Sequence, residues 1–536
     1  MDAEKIVKRF NQMEAKRNPY EAIWDKAAQL CSIDSRIYEK DENKHFRQHV
    51  FDSTARNALS YFAASMKSVL IPSTKRWHTL KPVNPLLEQD AETYAYLQDV
   101  TKLLFNVRYS SDSKFIHEAD ILLNNIGLYG FGVFYVGDEV GKGIYYKTIP
   151  VNEVYIDTDS KGKLNAVYRK FKLTTRQAYG EYKENSPQAV KEAYENNVDR
   201  DFNFLHAVEY RDKRTNLGAT SYPIASYHIF LENKEMIKEG GYRVMPYMCP
   251  HFLGIPNSPY GDSPAMQCFP DMLTINEISK TMLRTAQLQS NPTFLAGDSL
   301  LDAAKLGRAG AIIRGGLDSQ GRPRAMPMQY GNDLQTSQFI YEQKKADIER
   351  AFLVPLFRAI TEKNVEMTAT EVEKREAEKA MVLAPMSERI LAEWLHPMIE
   401  REMDILSQYG MLDNVPDSLM ENGSIAIEFQ SPFVRLQETD QIVGLYKTIE
   451  AVSTMAQTDP SVLDAFDMQV AARKIAEFND VDHDILRSQE QIDAIGNNRA
   501  QQEQAAQMLQ GAELLTKSMK NAGLKAKDVD NNYGLQ

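Results

Sequence analysis

Four groups of residues carry side chains that could do chemistry. His45 and His49 stand four apart, the spacing that sets two imidazoles on one helix face as metal ligands. No third ligand is placed beside them, and without one they read as exposed polar residues. Asp157, Asp159 and Gly162 imitate the opening of a calcium loop. Lys161 takes a ligand position, however, and Tyr168 stands where the closing Glu belongs, so the reading shifts to a β-hairpin turn. Asp480, Asp482, His483 and Asp484 could hold a cation or could serve a helix N-terminus, where acids are favoured by the helix dipole. From Lys305 to Arg324 there are five cations, Lys305, Arg308, Arg314, Arg322 and Arg324, against the single acid Asp318. Such a cluster could grip phosphate, meet an acidic protein partner, or form a solvated surface.

That cluster stands out because the 536-residue chain has a formal charge of −12, which argues against coating nucleic acid by bulk attraction. No Walker loop, GxSxG elbow, HExxH pair or GxGxxG after a strand occurs, so the NTPases, hydrolases, zincins and dinucleotide enzymes that motifs reveal are not indicated. Cys31, Cys249 and Cys268 have no CxxC spacing, which argues against a disulfide framework or a cysteine-rich zinc site and suits a reducing compartment. The N-terminus lacks the apolar core of a secretory signal and no 18-residue apolar run is present, so export or membrane spanning is not expected.

Helical spacing predicts helices over Ala3–Cys31, Phe51–Leu70, Ala91–Tyr109 and Lys114–Leu128. Aromatic and β-branched runs separated by turn residues then predict antiparallel strands at 131–136, 143–146, 154–156, 163–171, 204–210, 225–231 and 245–252, with a turn at 232–234. Ser186 and Pro187 predict a short helix to Tyr194. Ser263 and Pro264 open a long helix to Asn291, kinked or restarted at Pro270. A glycine-rich insertion, 293–329, follows, and helix resumes over Asp333–Phe352. The middle of the chain is therefore a helical hairpin with a knob at its tip, each arm reaching about 35–40 Å. Thr368 and Glu371 have capping-box spacing and open a helix ending near Tyr409, bent at Pro385; another helix starts at Asp459 and Pro460. The tail beyond Ser488 is rich in Gln, Ala and Asn and weakly apolar, a helix that needs partners. The fold class is α+β, mainly helical.

The order of these parts resembles the portal proteins, or head-to-tail connectors, of T7-like short-tailed bacteriophages. The residues that carry the resemblance are Lys16-Arg17-Asn18-Pro19-Tyr20-Glu21 with Trp24, Asp52-Ser53-Thr54-Ala55, Leu70-Ile71-Pro72 with Trp77, and the stretches 127–135 and 157–169. Tyr260-Gly261-Asp262-Ser263-Pro264 and Thr368-Ala369-Thr370-Glu371-Val372 complete the set, as ordered landmarks over residues 1–480. The resemblance implies a virion protein at the capsid portal vertex, assembled in the host cytoplasm as a homododecamer, with no cofactor, no catalytic site and no membrane. Its implied regions are a wing (1–262), two stem helices (263–290 and 332–356), a clip (291–331) and a tunnel loop (357–368). A bent helix completing the wing (369–440) and a crown with a helical tail (441–536) follow. Implied partners are the major capsid protein, the terminase large subunit, tail adaptor and internal core proteins, and double-stranded DNA in transit. By position, Arg358 and Lys363 would meet DNA in the tunnel loop, and the five clip cations would dock partners.

Twelve helices packed at about 8–10 Å form a ring with axes at a radius of about 16–19 Å. Subtracting about 5 Å for each inward half leaves an opening of roughly 22–28 Å. A duplex about 20 Å wide would just pass. An acid excess on the lumen and wings would suit sliding, because a cation-lined channel holds DNA through counterion release. Two alternatives from other classes are a metal-dependent nuclease using residues such as Asp482 and His483, and a purely protein-binding helical scaffold.

Overall fold

Four amphipathic helices open the chain: α1 (Ala3–Cys31), α2 (Thr54–Leu70), α3 (Ala91–Arg108) and α4 (Phe115–Tyr129), with strand β1 (His78–Pro82) between the second and third. The computed structural model describes residues 2–31, 50–73, 76–84, 90–139, 143–211, 218–256, 258–296, 310–328, 334–361, 385–422, 424–430 and 432–456, with isolated positions between and beyond them. His45, His49, Lys305, Lys363, the Thr368–Glu371 pair and the 480–484 acidic cluster lie outside the described residues. Two compact units divide the chain, Met1–Gln437 and Glu438–Gln536.

In the first unit, β2 (Val133–Glu139), β3 (Gly143–Ile149), β4 (Val154–Thr158) and β5 (Leu164–Thr174) lead into a helix pair, α5 (Thr175–Tyr182) and α6 (Gln188–Glu195). Strands β6 (Asp201–Tyr210), β7 (Ile224–Phe230), β8 (Glu235–Tyr242) and the short β9 (Tyr247–Met248) follow. Strands β4 to β8 form an antiparallel meander, and β3, β2 and β9 form a second sheet in that order. The 157–162 turn is the predicted hairpin: the Asp159 carboxylate accepts the Lys161 and Lys163 amides at 2.8 Å each, and Gly162 takes φ +78°. The strand expected over 245–252 is only two residues long, because Pro246 and Pro250 have no amide to pair. Their carbonyls instead accept Val136 and Gly132 at 2.9 and 3.1 Å. Ser186 does not cap α6 as expected; Pro187 holds the N-cap position.

After β10 (Leu253–Gly254) and β11 (Gly261–Asp262) the chain enters α7 (Pro264–Gln267) and α8 (Phe269–Ser290), then β12 (Phe294–Ala296), β13 (Ala325–Pro327), α9 (Leu334–Ala351) and α10 (Val354–Thr361). The Ser263 hydroxyl accepts the Met266 amide at 2.9 Å and donates to the Leu128 carbonyl at 2.9 Å, so the predicted cap also ties this entry to α4. Gly130 and Gly261 cross so closely that a Cβ on either would stand 2.5 Å from the other's carbonyl oxygen. Further on, a wide turn at Leu391–Leu395 precedes a helix over His396–Gln408. Pro397 has no amide to donate one turn back, which accounts for the local widening. Strand β14 (Ile425–Phe429) returns to pair antiparallel with β1, from His78↔Phe429 to Pro82↔Ile425, and a helix spans Pro432–Ala456.

The main core gathers the three tryptophans, Trp24, Trp77 and Trp394, with residues from α1 to α4, β2, β3, α8 to α10 and the 396–408 helix. Inside it lies a buried ionic group. The Arg108 guanidinium forks onto Glu402, with Nε donating to Oε1 at 3.1 Å and the second nitrogen to Oε2 at 2.5 Å. Tyr146 donates to the same carboxylate at 2.6 Å, and Arg108 donates to His78 Nε2 at 2.9 Å while lying over the Trp77 ring. Burial and the neighbouring guanidinium hold His78 well below the ordinary imidazole range, so it is neutral and accepts this bond. Two satellite cores flank the meander. Ala3, Ile6, Phe10 and Met13 of α1 cover one face, and α5–α6 cover part of the other.

Removing one partner of a buried pair strands the other charge. Arg108→Met or Glu402→Leu alone should therefore lower unfolding free energy by about 3–5 kcal/mol, and the double variant should cost less than the two losses added together. Denaturation followed by the three core tryptophans reads this.

Candidate functional site

The hairpin formed by α8, the tip and α9 is the feature most open to partners. α8 has 22 residues and α9 has 18, giving arms of about 33 and 27 Å at the helical rise, shorter than the sequence spacing predicts. Pro270 does mark a restart: α7 ends at Gln267, Cys268 joins the pieces, and α8 begins at Phe269. The arms are tied to each other by Lys344, which reaches Asp271 at 2.7 Å. They are also strapped to the rest of the unit by the chain just before α2. The Phe51 amide donates to Asn276 on α8 at 2.7 Å, and Tyr341 on α9 donates to Asp52 at 3.0 Å.

The tip is built by turns. None of the described residues between Asn291 and Met328 is buried. β12 pairs with β13 from Phe294↔Pro327 to Ala296↔Ala325, and Leu317 bridges Pro323. The Asp318 carboxylate accepts the Gln320 and Arg322 amides at 2.8 Å each, with Gly321 at φ +75°. This repeats the Asp159 turn, and the sequences agree: Asp-Ser-Lys-Gly-Lys at 159–163 and Asp-Ser-Gln-Gly-Arg at 318–322. Arg308, Arg314, Arg322 and Arg324 are all exposed, and so are Leu295, Ile312, Leu317, Met326 and Met328, with Ile312 at 82%. The tip thus presents cations among bare aliphatic side chains. On α9, Phe339 is 72% exposed.

Arg358 is not in a loop. It stands on α10, exposed, 3.7 Å from Glu349 and beside the Tyr61 ring. The helix predicted to Phe352 ends within a residue of that point, but the spacing misses α10 beyond it: Leu353 takes φ +57°, which separates α9 from α10 and lets α10 start in a new direction. The bend expected at Pro385 has its preceding turn outside the described residues, and Pro385 itself is helical and exposed. Among the described residues no group of three or more His, Cys, Asp or Glu could hold a metal ion, and no helix is long and apolar enough to cross a membrane.

Several residues that carry the portal resemblance have structural partners. Arg17 is buried, donates to the carbonyls of Val151, Asn152 and Val154, and lies over Tyr155. Tyr20 bonds Ser258 at 2.9 Å and stacks on Trp24, which in turn meets Phe131 and Tyr260. A model of the "Bacteriophage head to tail connecting protein" family matches residues 3–486. The chain belongs to that family. This connector chain is 25% identical over 535 residues to the probable portal protein of Bordetella phage BPP-1, covering 96% of this chain and 94% of the relative. It is 23% identical over 543 residues to the portal protein of Salmonella phage epsilon15, covering 96% of each. Among solved structures, the neck of an empty gene transfer agent particle aligns over 78% of the connector chain and 90% of its own, at 11% identity and a TM-score of 0.37.

Since the tip is held by local turns, Asp318→Ala should speed amide exchange across 317–324 by roughly tenfold, about the worth of one to two hydrogen bonds. Exchange within α8 and α9 should be unchanged, and hydrogen-exchange mass spectrometry separates the two.

Proposed function

We propose that this chain is the portal of a short-tailed phage, resident at one vertex of the virion, where it conducts double-stranded DNA into and out of the capsid. The observation that carries this reading is the family match over residues 3–486, joined by two relatives called portal proteins along nearly their whole lengths. In this reading the chain assembles as a homododecamer. α8 and α9 are the stem, the segment between them is the clip, and α10 leads into a tunnel loop within 362–368. The remainder of the first unit forms the wing, and residues from 441 onward form the crown.

Physical support comes from surfaces that one copy leaves open. Phe339, Leu273, Leu283 and Leu288 are exposed on the two arms, as expected of helices that pack side by side with neighbours. Twelve such hairpins leave an opening of roughly 22–28 Å. The clip, with Lys305, Arg308, Arg314, Arg322 and Arg324, would dock in turn the terminase large subunit and the tail adaptors. The wing would meet the major capsid protein, and the crown would meet internal core proteins. Translocation energy would come from the motor's NTP hydrolysis. Arg358 and Lys363 would lie toward the DNA path, Arg358 with its charge partly answered by Glu349.

Purified protein imaged by electron microscopy should show rings with a central channel; a uniform monomer at high concentration would refute the proposal. Replacing the four described tip arginines with Glu should leave rings intact and reduce packaged DNA at least tenfold, measured as DNA-filled heads per assembled capsid. Equal packaging would remove the tip from the docking role.

A further inference from the structure

A polar seam crosses the meander between two of its cores. Cross-strand pairing sets Arg169 opposite His206, His206 opposite His228, and His228 opposite Lys238. Directly paired residues share a face, so β5 to β8 carry four nitrogen bases in a row on one side. On that same side, Phe202, Phe204 and Phe230 belong to the core under α5–α6, whereas Val167, Val208 and Ile224 belong to the main core. The two imidazoles stack at 4.3 Å between these apolar clusters.

Each imidazole is also the tie to a neighbouring element. His206 Nδ1 meets the Tyr247 hydroxyl of β9 at 2.8 Å, and its Nε2 meets the Ser226 hydroxyl at 3.0 Å. His228 Nδ1 meets the Tyr182 hydroxyl at the end of α5 at 3.1 Å. Permanent cations bound the row, with Arg169 paired to Glu153 at 2.8 Å and Lys238 on the edge strand. α5 adds Glu181, exposed beside Tyr182, and no carboxylate among the described residues bonds either ring. Both rings are thus seated as neutral groups between fixed positive charges.

We propose that this seam is an acid-operated release for the α5–α6 lobe. A proton on either ring meets the other ring, Arg169 or Lys238 with no carboxylate among the described residues bonded to either ring, Glu153 being engaged by Arg169, and the relief is for Tyr182 to let go and admit water. Burial and these neighbours hold His228 down to about 4 and His206 well below the ordinary range while the lobe is closed. An opened seam returns both to about 6.5. The open form then binds more protons, so closure is favoured above about pH 6.5 and weakens as pH falls toward 4. Between pH 7 and 5 the open-to-closed ratio should rise about 20-fold for one imidazole and several hundred-fold for both.

Hydrogen-exchange mass spectrometry on the full chain at pH 7 and 5, corrected for intrinsic rates, tests this. Amides over 175–195 should lose at least about 20-fold protection while β6 and α8 keep theirs. His206→Gln/His228→Gln should flatten the dependence. Unchanged protection in the wild type, loss of the whole meander together with the lobe, or an equal slope in the double variant would overturn the proposal. Should the variant fail to fold, slow exchange at the imidazole C2 position reads each histidine in the wild type. A His228 value near 6.5 ends the proposal; a depressed value sustains it only together with the acid-dependent loss of protection over 175–195 in the wild type.

Discussion

The main core is organised around a charge that cannot be solvated. Arg108 arrives at the end of α3 and is sealed under Trp77, Phe105 and Phe115, so it needs an anion inside the protein. Glu402 supplies one from 294 residues further along the chain. Meeting that requirement fixes where the 396–408 helix lies and brings in Tyr146 of β3 and His78 of β1. β1 in turn is the template for β14, so the first and last strands of the unit are paired as a consequence. Aliphatic packing alone tolerates small slides of one helix over another. A bidentate guanidinium–carboxylate pair does not, and its value here lies in register more than in net stability.

What could be read from the sequence follows from how local each signal is. The helices α1 to α4, the Asp159 turn and the Ser263–Pro264 entry are encoded within a few residues, and they stand where spacing predicts. The β1–β14 pair, the Arg108–Glu402 bond and the cross-strand row of bases join distant segments, and no local pattern announces them. Arg358 shows the intermediate case. Its helix was hidden because a single residue, Leu353, adopts a backbone angle that sequence periodicity does not encode. The family landmarks were legible as a set, yet their roles were not. Arg17 and Trp24 hold α1 against the first turn after β3 and the Phe131 region, and Asp52 anchors an arm of the hairpin. In this chain their contacts are structural ones.

The site itself divides in the same way. The basic character of the tip is a matter of composition and was readable, whereas its exposed aliphatic side chains and the strap at Phe51–Asp52 depend on tertiary placement. The strap joins the hairpin's base to the start of α2 through one backbone amide and one carboxylate. The arms are held to each other separately, by Lys344–Asp271.

The tip has a further meaning through the way it is built. A segment whose shape rests on an Asp-Ser-x-Gly turn and a few backbone bonds asks little of its remaining side chains. Residues such as Ile312, Leu317 and Met326 answer to no interior within their own chain, so exchanging them would leave the frame of the hairpin in place. Sequence change can therefore accumulate at the tip faster than anywhere in the tryptophan core. With the tip as the docking surface proposed above, partner specificity would be rewritten there while the frame of the hairpin stays the same.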